Sequence, residues 1–126
     1  MNVKIDTKEK FQEITVMEPN LTANMTGELA EMFKGVLEKE ASNVVMNLEP
    51  VAEMDSTFAR SLAALQNKFY ESNLSFVICG LQEPVENLLE KEELIESMNI
   101  TPSLSEAWDM VQMEEIERDL LSEFED

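Results

Sequence analysis

Two short apolar segments, each the length of one strand, constrain the fold most strongly. Residues 44–48 (VVMNL) and 74–79 (LSFVIC) are almost continuously apolar, which is typical of strands covered on both faces. Between them, residues 58–69 carry apolar side chains at helical spacing. A strand, a helix and a second strand joined by short links predict a right-handed crossover, and therefore a parallel pair of strands in an α/β sheet.

The remaining segments add strands and helices to this unit. Residues 3–7 and 11–17 alternate apolar and polar side chains on either side of a charged loop, which predicts an opening hairpin. Three amphipathic helices and one short strand are also predicted: helices over residues 29–37, 84–89 and 104–111, and the strand over residues 98–101.

The end of the chain carries two apolar stripes that one straight helix cannot bury in one core. The first stripe, predicted to face the core, consists of Leu104, Ala107, Trp108 and Val111. The second, on the opposite side at about 100° per residue, consists of Met113, Ile116, Leu120 and Phe124. Either the helix bends after Gln112, or its last part packs against something else. We assign residues 1–112 to one domain and residues 113–126 to an acidic C-terminal helical extension.

The extension has two interpretations. A homodimer or partner contact through Ile116, Leu120 and Phe124 would cover the second stripe. A solvated acidic terminus is the alternative.

The charge of the chain limits its partners. Nine Lys and Arg residues against 27 Asp and Glu residues give a net charge of −18, which repels phosphate backbones and anionic lipids. We therefore expect neither nucleic acid nor a membrane surface as a partner. No signal-peptide core and no segment near the roughly 20 apolar residues of a membrane span is present, so we expect a cytoplasmic protein.

The residue types available for chemistry are restricted. The chain has no histidine, which removes the commonest general base, the Ser-His and Cys-His pairs and most zinc sites. Cys79 lies in an apolar run and is predicted to be a core residue. The acids of the tail lack the spacing of a calcium loop. We expect no enzyme, no cofactor and no metal site.

A polar corner precedes the central helix. Asp55 is predicted to be its N-cap, and the Ser56 hydroxyl would then lie at the positive end of the helix dipole, where a phosphate is stabilised. The corner is also predicted at the carboxyl edge of a parallel strand, where sites of open α/β sheets collect. An ordinary helix cap is the alternative.

The order of elements and residues 53–57 (EMDST) resemble the STAS domain of bacterial anti-sigma factor antagonists, over about residues 3–112. The other segments that carry the resemblance are residues 44–48, 62–65, 76–79, 84–89 and 105–107. The resemblance implies a mixed sheet of about four to five strands with helices packed mainly on one face. It also implies that Ser56 is phosphorylated by an anti-sigma factor that is a serine/threonine kinase, and that the unphosphorylated form binds this partner.

The resemblance further implies a partner-binding surface, made of Asp55, Ser56, Thr57 and Phe58 with Asn20 and Thr22. Two positions differ from the family pattern. Residues 19–22 (PNLT) replace a loop that usually ends in an acid, and Phe58 stands where a glycine is usual. These differences favour a second interpretation, an accessory or scaffold subunit of a transporter or stress-signalling complex that works without phosphorylation.

Overall fold

The computed structural model describes residues 1–40 and 42–124, without the side chains of residues 39, 40 and 124. In chain order the elements are β1 (Val3–Thr7), β2 (Phe11–Val16), β3 (Asn20–Leu21), α1 (Thr26–Gly35), β4 (Asn43–Asn47), β5 (Glu53–Met54), α2 (Ser56–Glu71), β6 (Phe76–Cys79), α3 (Glu83–Lys91), β7 (Ile100–Thr101) and α4 (Leu104–Phe124). Short 3-10 or π-helical segments cover Ala23–Met25, Val36–Glu40 and Ile95–Ser97.

A mixed sheet organises the part of the chain that the structure describes, with five strands in the order β1-β2-β4-β6-β7. β1 and β2 form the predicted antiparallel hairpin, with Val3 opposite Val16. The other neighbouring strands are parallel, and Val45 of β4 pairs with Val77 of β6. The predicted α/β class, the mixed sheet and the short strand before the last helix are therefore confirmed.

The side chains of β4 alternate between two cores, which explains why this strand is apolar on both faces. Val44 and Met46 belong to the larger core, beneath α1, α2 and α3. Val45 belongs to a smaller core on the other face, where Ala107 and Val111 of α4 cover the sheet. Cys79 is buried in the smaller core, as predicted.

Three phenylalanines form the centre of the larger core. Phe33 of α1 meets Phe69 of α2 and Phe76 of β6 edge to face, with ring centroids 5.8 and 5.7 Å apart. Phe69 and Phe76 are 5.0 Å apart. Because such aromatic pairs add directional packing to burial, they fix α1 and α2 against the sheet.

Trp108 does not belong to the core, contrary to the predicted stripe. Its side chain is 46% exposed, whereas Ala107 and Val111 are fully buried. Successive helix residues are about 100° apart, and the small Ala107 and Val111 side chains define the line of contact with the sheet. Trp108 lies beside that line and faces solvent.

β3 and β5 form a separate two-stranded sheet, in segments that the sequence pattern assigns to loops. Leu21 pairs with Met54 in parallel orientation. The backbone N–H groups of Ala52 and Glu53 both donate to the Pro19 carbonyl, at 2.8 and 3.0 Å. This small sheet joins the loop after β2 to the segment that leads into α2.

α4 is one helix from Leu104 to Phe124 and is unbroken at Gln112, where a bend was expected as one alternative. Its outward side carries Ile116 and Leu120, which are 58% and 50% exposed. The Phe124 side chain lies outside the described residues. The described part of the second apolar stripe, Met113, Ile116 and Leu120, thus faces away from the sheet on a continuous helix.

Beyond Val111, polar contacts join α4 to the ends of the sheet strands. Arg118 Nη1 donates to Ser75 Oγ at 3.1 Å, just before β6. Asn43 Nδ2, at the start of β4, donates to Glu115 Oε1 at 2.9 Å. α4 therefore runs from the carboxyl edge of the parallel strands to their amino edge, where these contacts hold it.

Candidate functional site at the start of α2

Asp55 connects the start of α2 to the segment before α1. Its backbone is extended, and Oδ1 accepts a hydrogen bond from Phe58 N at 2.9 Å, as an N-cap does. Oδ2 accepts from Ala23 N at 2.7 Å, and Asp55 N donates to Leu21 O at 2.9 Å. One carboxylate thus caps α2 and also holds a second segment that is 32 positions earlier in the chain.

The structure brings most of the predicted surface residues to this corner. Asn20 pairs with Glu53 in the small sheet and is exposed, and Thr22 directly precedes Ala23 and is half-buried. Thr57 is exposed beside the start of α2. Phe58, in contrast, is fully buried in the larger core, so its side chain does not reach the surface that a partner would meet.

Ser56 is the first residue of α2 and is half-buried. Its hydroxyl donates a hydrogen bond to Glu92 Oε1, and Arg60 Nη2 lies 3.3 Å from Glu92 Oε2. One carboxylate therefore binds both the serine hydroxyl and a guanidinium from the next turn of α2. The three side chains form a hydroxyl–carboxylate–guanidinium cluster, called the Ser56 cluster below.

The end of α3 delivers Glu92 to this cluster. Glu92 is the C-cap of α3, and Glu93 after it has a left-handed backbone with φ of 59°. Leu94 N then donates to Leu89 O at 2.9 Å, which closes the helix end. Leu89 is fully buried, so the larger core anchors the turn that carries Glu92.

The charge state of the cluster follows from its contacts. The hydrogen bond from Ser56 lowers the pKa of Glu92 below its ordinary value; partial burial opposes this effect, while Arg60 and Lys91 reinforce it. Glu92 is therefore a carboxylate at neutral pH, and Ser56 keeps its proton as the donor. The helix N-terminus and the Arg60 guanidinium would attract a phosphate on the serine, whereas the Glu92 carboxylate would repel it.

Glu92 was not among the residues predicted from the sequence, and no local signal marks it. It lies 36 positions from Ser56 in the chain and meets it only because α3 packs beside α2. Arg60 had a weak signal, since residues four apart on a helix share a face. The contact of Asp55 with Ala23 likewise depends on tertiary structure.

The part of the chain that the structure describes offers neither a cluster of metal ligands nor a membrane-spanning helix. Within residues 1–40 and 42–124, no group of three or more Cys, Asp or Glu side chains is arranged to hold a metal ion. None of the helices in these ranges combines the length and the hydrophobicity needed to cross a bilayer.

The fold and the capped serine at the carboxyl edge define the class of protein as a small α/β domain with a mixed five-stranded sheet. A family model described as the STAS domain matches residues 4–107. The chain therefore belongs to the STAS domain family. No curated protein sequence matches it.

Solved structures agree on this fold. An anti-sigma factor antagonist from Mycobacterium paratuberculosis superposes with a TM-score of 0.77 at 15% identity, covering 88% of this chain and 93% of the other. The Bacillus cell fate determinant SpoIIAA in its phosphorylated form gives 0.64 at 12% identity, covering 87% and 99%. The murine solute carrier 26 family member A9 anion transporter gives 0.68 at 14% identity, covering 82% of this chain and 18% of the transporter. At these identities the likeness shows the fold alone.

Proposed function

We propose that the chain is a non-enzymatic regulator of the anti-sigma factor antagonist type, in which Ser56 is the phosphorylated residue. The observation that carries the proposal is the Ser56 hydroxyl at the N-terminus of a 16-residue helix, where it shares the Glu92 carboxylate with the Arg60 guanidinium. The family match and the phosphorylated structure of SpoIIAA support it. The expected partner is an anti-sigma factor with serine/threonine kinase activity.

The physical basis of the switch is a change of charge at a partly buried surface. A phosphate would add about 1.5 to 2 negative charges at Ser56. The helix N-terminus would stabilise that charge within the protein, but a partner that accepts the neutral hydroxyl would meet repulsion and lose a contact. A loss of about 2.8 kcal/mol lowers affinity about a hundredfold, which is enough to dissociate a transient complex.

We extend the proposal to the partner-binding surface, the domain bounds and the location of the protein. The partner-binding surface consists of Asp55, Ser56 and Thr57 with Asn20 and Thr22. Residues 1–112 form the STAS unit, and residues 113–126 form an acidic helical extension that offers a dimer contact through Ile116, Leu120 and Phe124. A cytoplasmic location, without nucleic acid or membrane as a partner, stays a prediction.

The decisive experiment is an intact-mass measurement of the protein isolated from its own host. We expect a species heavier by about 80 Da, the mass of one phosphate, which maps to Ser56. If every such species maps elsewhere, or none is present under any growth condition, Ser56 is not the switch.

A binding experiment tests the direction of the switch. Wild type, Ser56→Ala and Asn67→Asp are expected to recover the same partner from host extract, and Ser56→Asp is expected to lose it. Asn67→Asp is the matched control because it adds the same charge at an exposed residue of α2 that lies outside the proposed partner-binding surface. Equal recovery by Ser56→Asp and wild type would contradict the proposal.

A second function, an accessory or scaffold subunit, is favoured by two observations. The anion transporter contains a domain of this fold, and Thr22 stands where the family usually has an acid. In this case the partner recovered by wild type would be a transporter or scaffold component without kinase activity, and Ser56→Asp would recover it equally well.

A further inference from the structure

Glu92 uses both of its carboxylate oxygens inside the Ser56 cluster. Oε1 accepts from the Ser56 hydroxyl, and Oε2 faces Arg60 Nη2 at 3.3 Å. The serine and the arginine are one turn apart on α2, while the carboxylate comes from the end of α3. This cluster is therefore a direct link between the proposed phosphorylation site and a neighbouring helix.

The turn that holds Glu92 contains an unfavourable backbone conformation. Glu93 is a non-glycine residue in the left-handed region, with φ of 59°, where an L side chain is unfavourable. The turn is closed by the hydrogen bond from Leu94 N to Leu89 O. A repulsive force that displaces Glu92 therefore acts on the end of α3, where the backbone conformation of Glu93 is already unfavourable.

A phosphate on Ser56 supplies such a force. In its formation, Ser56 Oγ bonds to the terminal phosphorus of a nucleoside triphosphate, the phosphoanhydride bond breaks, the nucleoside diphosphate leaves, and the hydroxyl proton passes to water. Glu92 would then lose its hydrogen-bond donor and face a like charge. The charged groups around the cluster are Asp55, which repels the phosphate, and Arg60 and Lys91, which attract it.

We propose that Glu92 is a positioning residue that holds the Ser56 hydroxyl in the unmodified protein and is displaced, with the last turn of α3, when a phosphate occupies Ser56. Arg60 then pairs with the phosphate, because a guanidinium binds phosphate oxygens in a favourable forked geometry. The inference rests on the proposed phosphorylation of Ser56. It adds a way in which phosphorylation would change the structure of a second surface.

The second surface is the shallow cleft between β5 and α3. Met54, Leu88 and Lys91 line it, and Lys91 directly precedes Glu92. Movement of the α3 end would change this cleft without any change at the exposed Thr57. A partner that contacts both the start of α2 and the end of α3 would thus detect phosphorylation at two places.

Four purified proteins test this link without a kinase or a partner: wild type, Ser56→Asp, Glu92→Gln and the double variant. In Ser56→Asp we expect NMR titration to give Glu92 a higher pKa than in wild type, because a carboxylate replaces the hydrogen-bond donor. We expect amide exchange at Leu94 to become about fivefold faster or more. In the double variant, exchange at Leu94 is expected to return toward that of Glu92→Gln alone.

Glu90→Gln is the matched control, since Glu90 is an exposed carboxylate on the same helix. It should leave the effect of Ser56→Asp unchanged. An unaltered Glu92 pKa and unaltered Leu94 exchange in Ser56→Asp would overturn the inference. It would also be overturned if adding Glu90→Gln to Ser56→Asp slowed Leu94 exchange as much as adding Glu92→Gln does. Such a failure leaves the phospho-switch intact, because the mass measurement judges that switch independently.

Discussion

Asp55 is the residue whose loss should damage the corner most. Its Oδ1 caps α2 through Phe58 N at 2.9 Å, and its Oδ2 binds Ala23 N at 2.7 Å. Asp55→Ala removes both acceptors at once. Two backbone N–H groups on different segments would then have to find water, and the loop before α1 would no longer be tied to the start of α2.

The expected loss is the sum of these two contacts. Replacing an N-cap by alanine costs about 1 kcal/mol. The second hydrogen bond, to a charged acceptor at a partly exposed position, contributes about 1 to 2 kcal/mol. Asp55→Ala should therefore lower the free energy of unfolding by about 2 to 3 kcal/mol, a large share of the roughly 5 to 15 kcal/mol typical of a domain.

Urea unfolding measures this loss. With a slope of about 2 kcal/mol per molar urea, the midpoint should fall by about 1 to 1.5 M without a change in slope. Ser103→Ala is the matched control, because Ser103 caps α4 through a single 3.3 Å contact with Glu106 N. Ser103→Ala should lower the free energy of unfolding by about 1 kcal/mol or less.

Asp55→Asn separates the two roles. The amide oxygen can still cap α2 through Phe58 N, but the amide nitrogen then faces Ala23 N, which is also a donor. We expect the free energy of unfolding of Asp55→Asn to lie between those of wild type and Asp55→Ala. If Asp55→Ala costs no more than Ser103→Ala, the link between the two segments contributes no stability and the reasoning is refuted.

Four further predictions concern backbone conformation and burial. Gly80→Ala should lower the thermal midpoint, because φ is 74° and an added Cβ would lie 2.6 Å from Glu49 Cγ; Gly27→Ala, with nothing within 4 Å, should instead stabilise α1 by about 0.5 to 1 kcal/mol. Glu93→Gly should raise the free energy of unfolding by up to about 1 kcal/mol, since glycine tolerates the left-handed backbone; a loss in chemical denaturation would contradict this. Burial, followed by nearby carboxylates, raises the pKa of Cys79 from 9.0 to about 11. Because the unfolded thiol releases its proton first, stability should fall between pH 9 and about 11, and a pH series on Cys79→Ala should lack that component.

The central elements could be predicted because their signals are local. Residues 44–48 and 74–79 are apolar at nearly every position, and both strands are covered on two faces. The helical spacing in residues 58–69 likewise reflects one buried face of α2. Where the burial of a residue follows from its neighbours in the sequence, the apolar pattern is sufficient to predict the strand or helix.

Other features escaped prediction because local patterns do not encode them. β3 and β5 have two residues each, too few to show the alternation that identifies a strand. Trp108 is a large apolar residue of the kind found in cores, but the close approach of Ala107 to the sheet leaves it at the surface. In both cases a tertiary contact outweighs the local preference.

The candidate site divides in the same way. An Asp directly before a helical pattern predicts a cap, and Asp55 is the cap of α2. Its second contact, with Ala23, and the contact between Ser56 and Glu92 join segments 32 and 36 positions apart. The cap and the proposed phosphorylation site could thus be named from the sequence, whereas their partners Ala23 and Glu92 needed the structure.

The position of α4 separates two surfaces of the molecule. The Ser56 cluster lies at the carboxyl edge of the parallel strands, whereas Arg118 ties α4 to Ser75 at the amino edge. Ile116 and Leu120 point away from the sheet on the face opposite α1, α2 and α3. A homodimer formed through that outward face would leave the start of α2 accessible, so the proposed dimer contact and the proposed charge switch at Ser56 do not exclude each other.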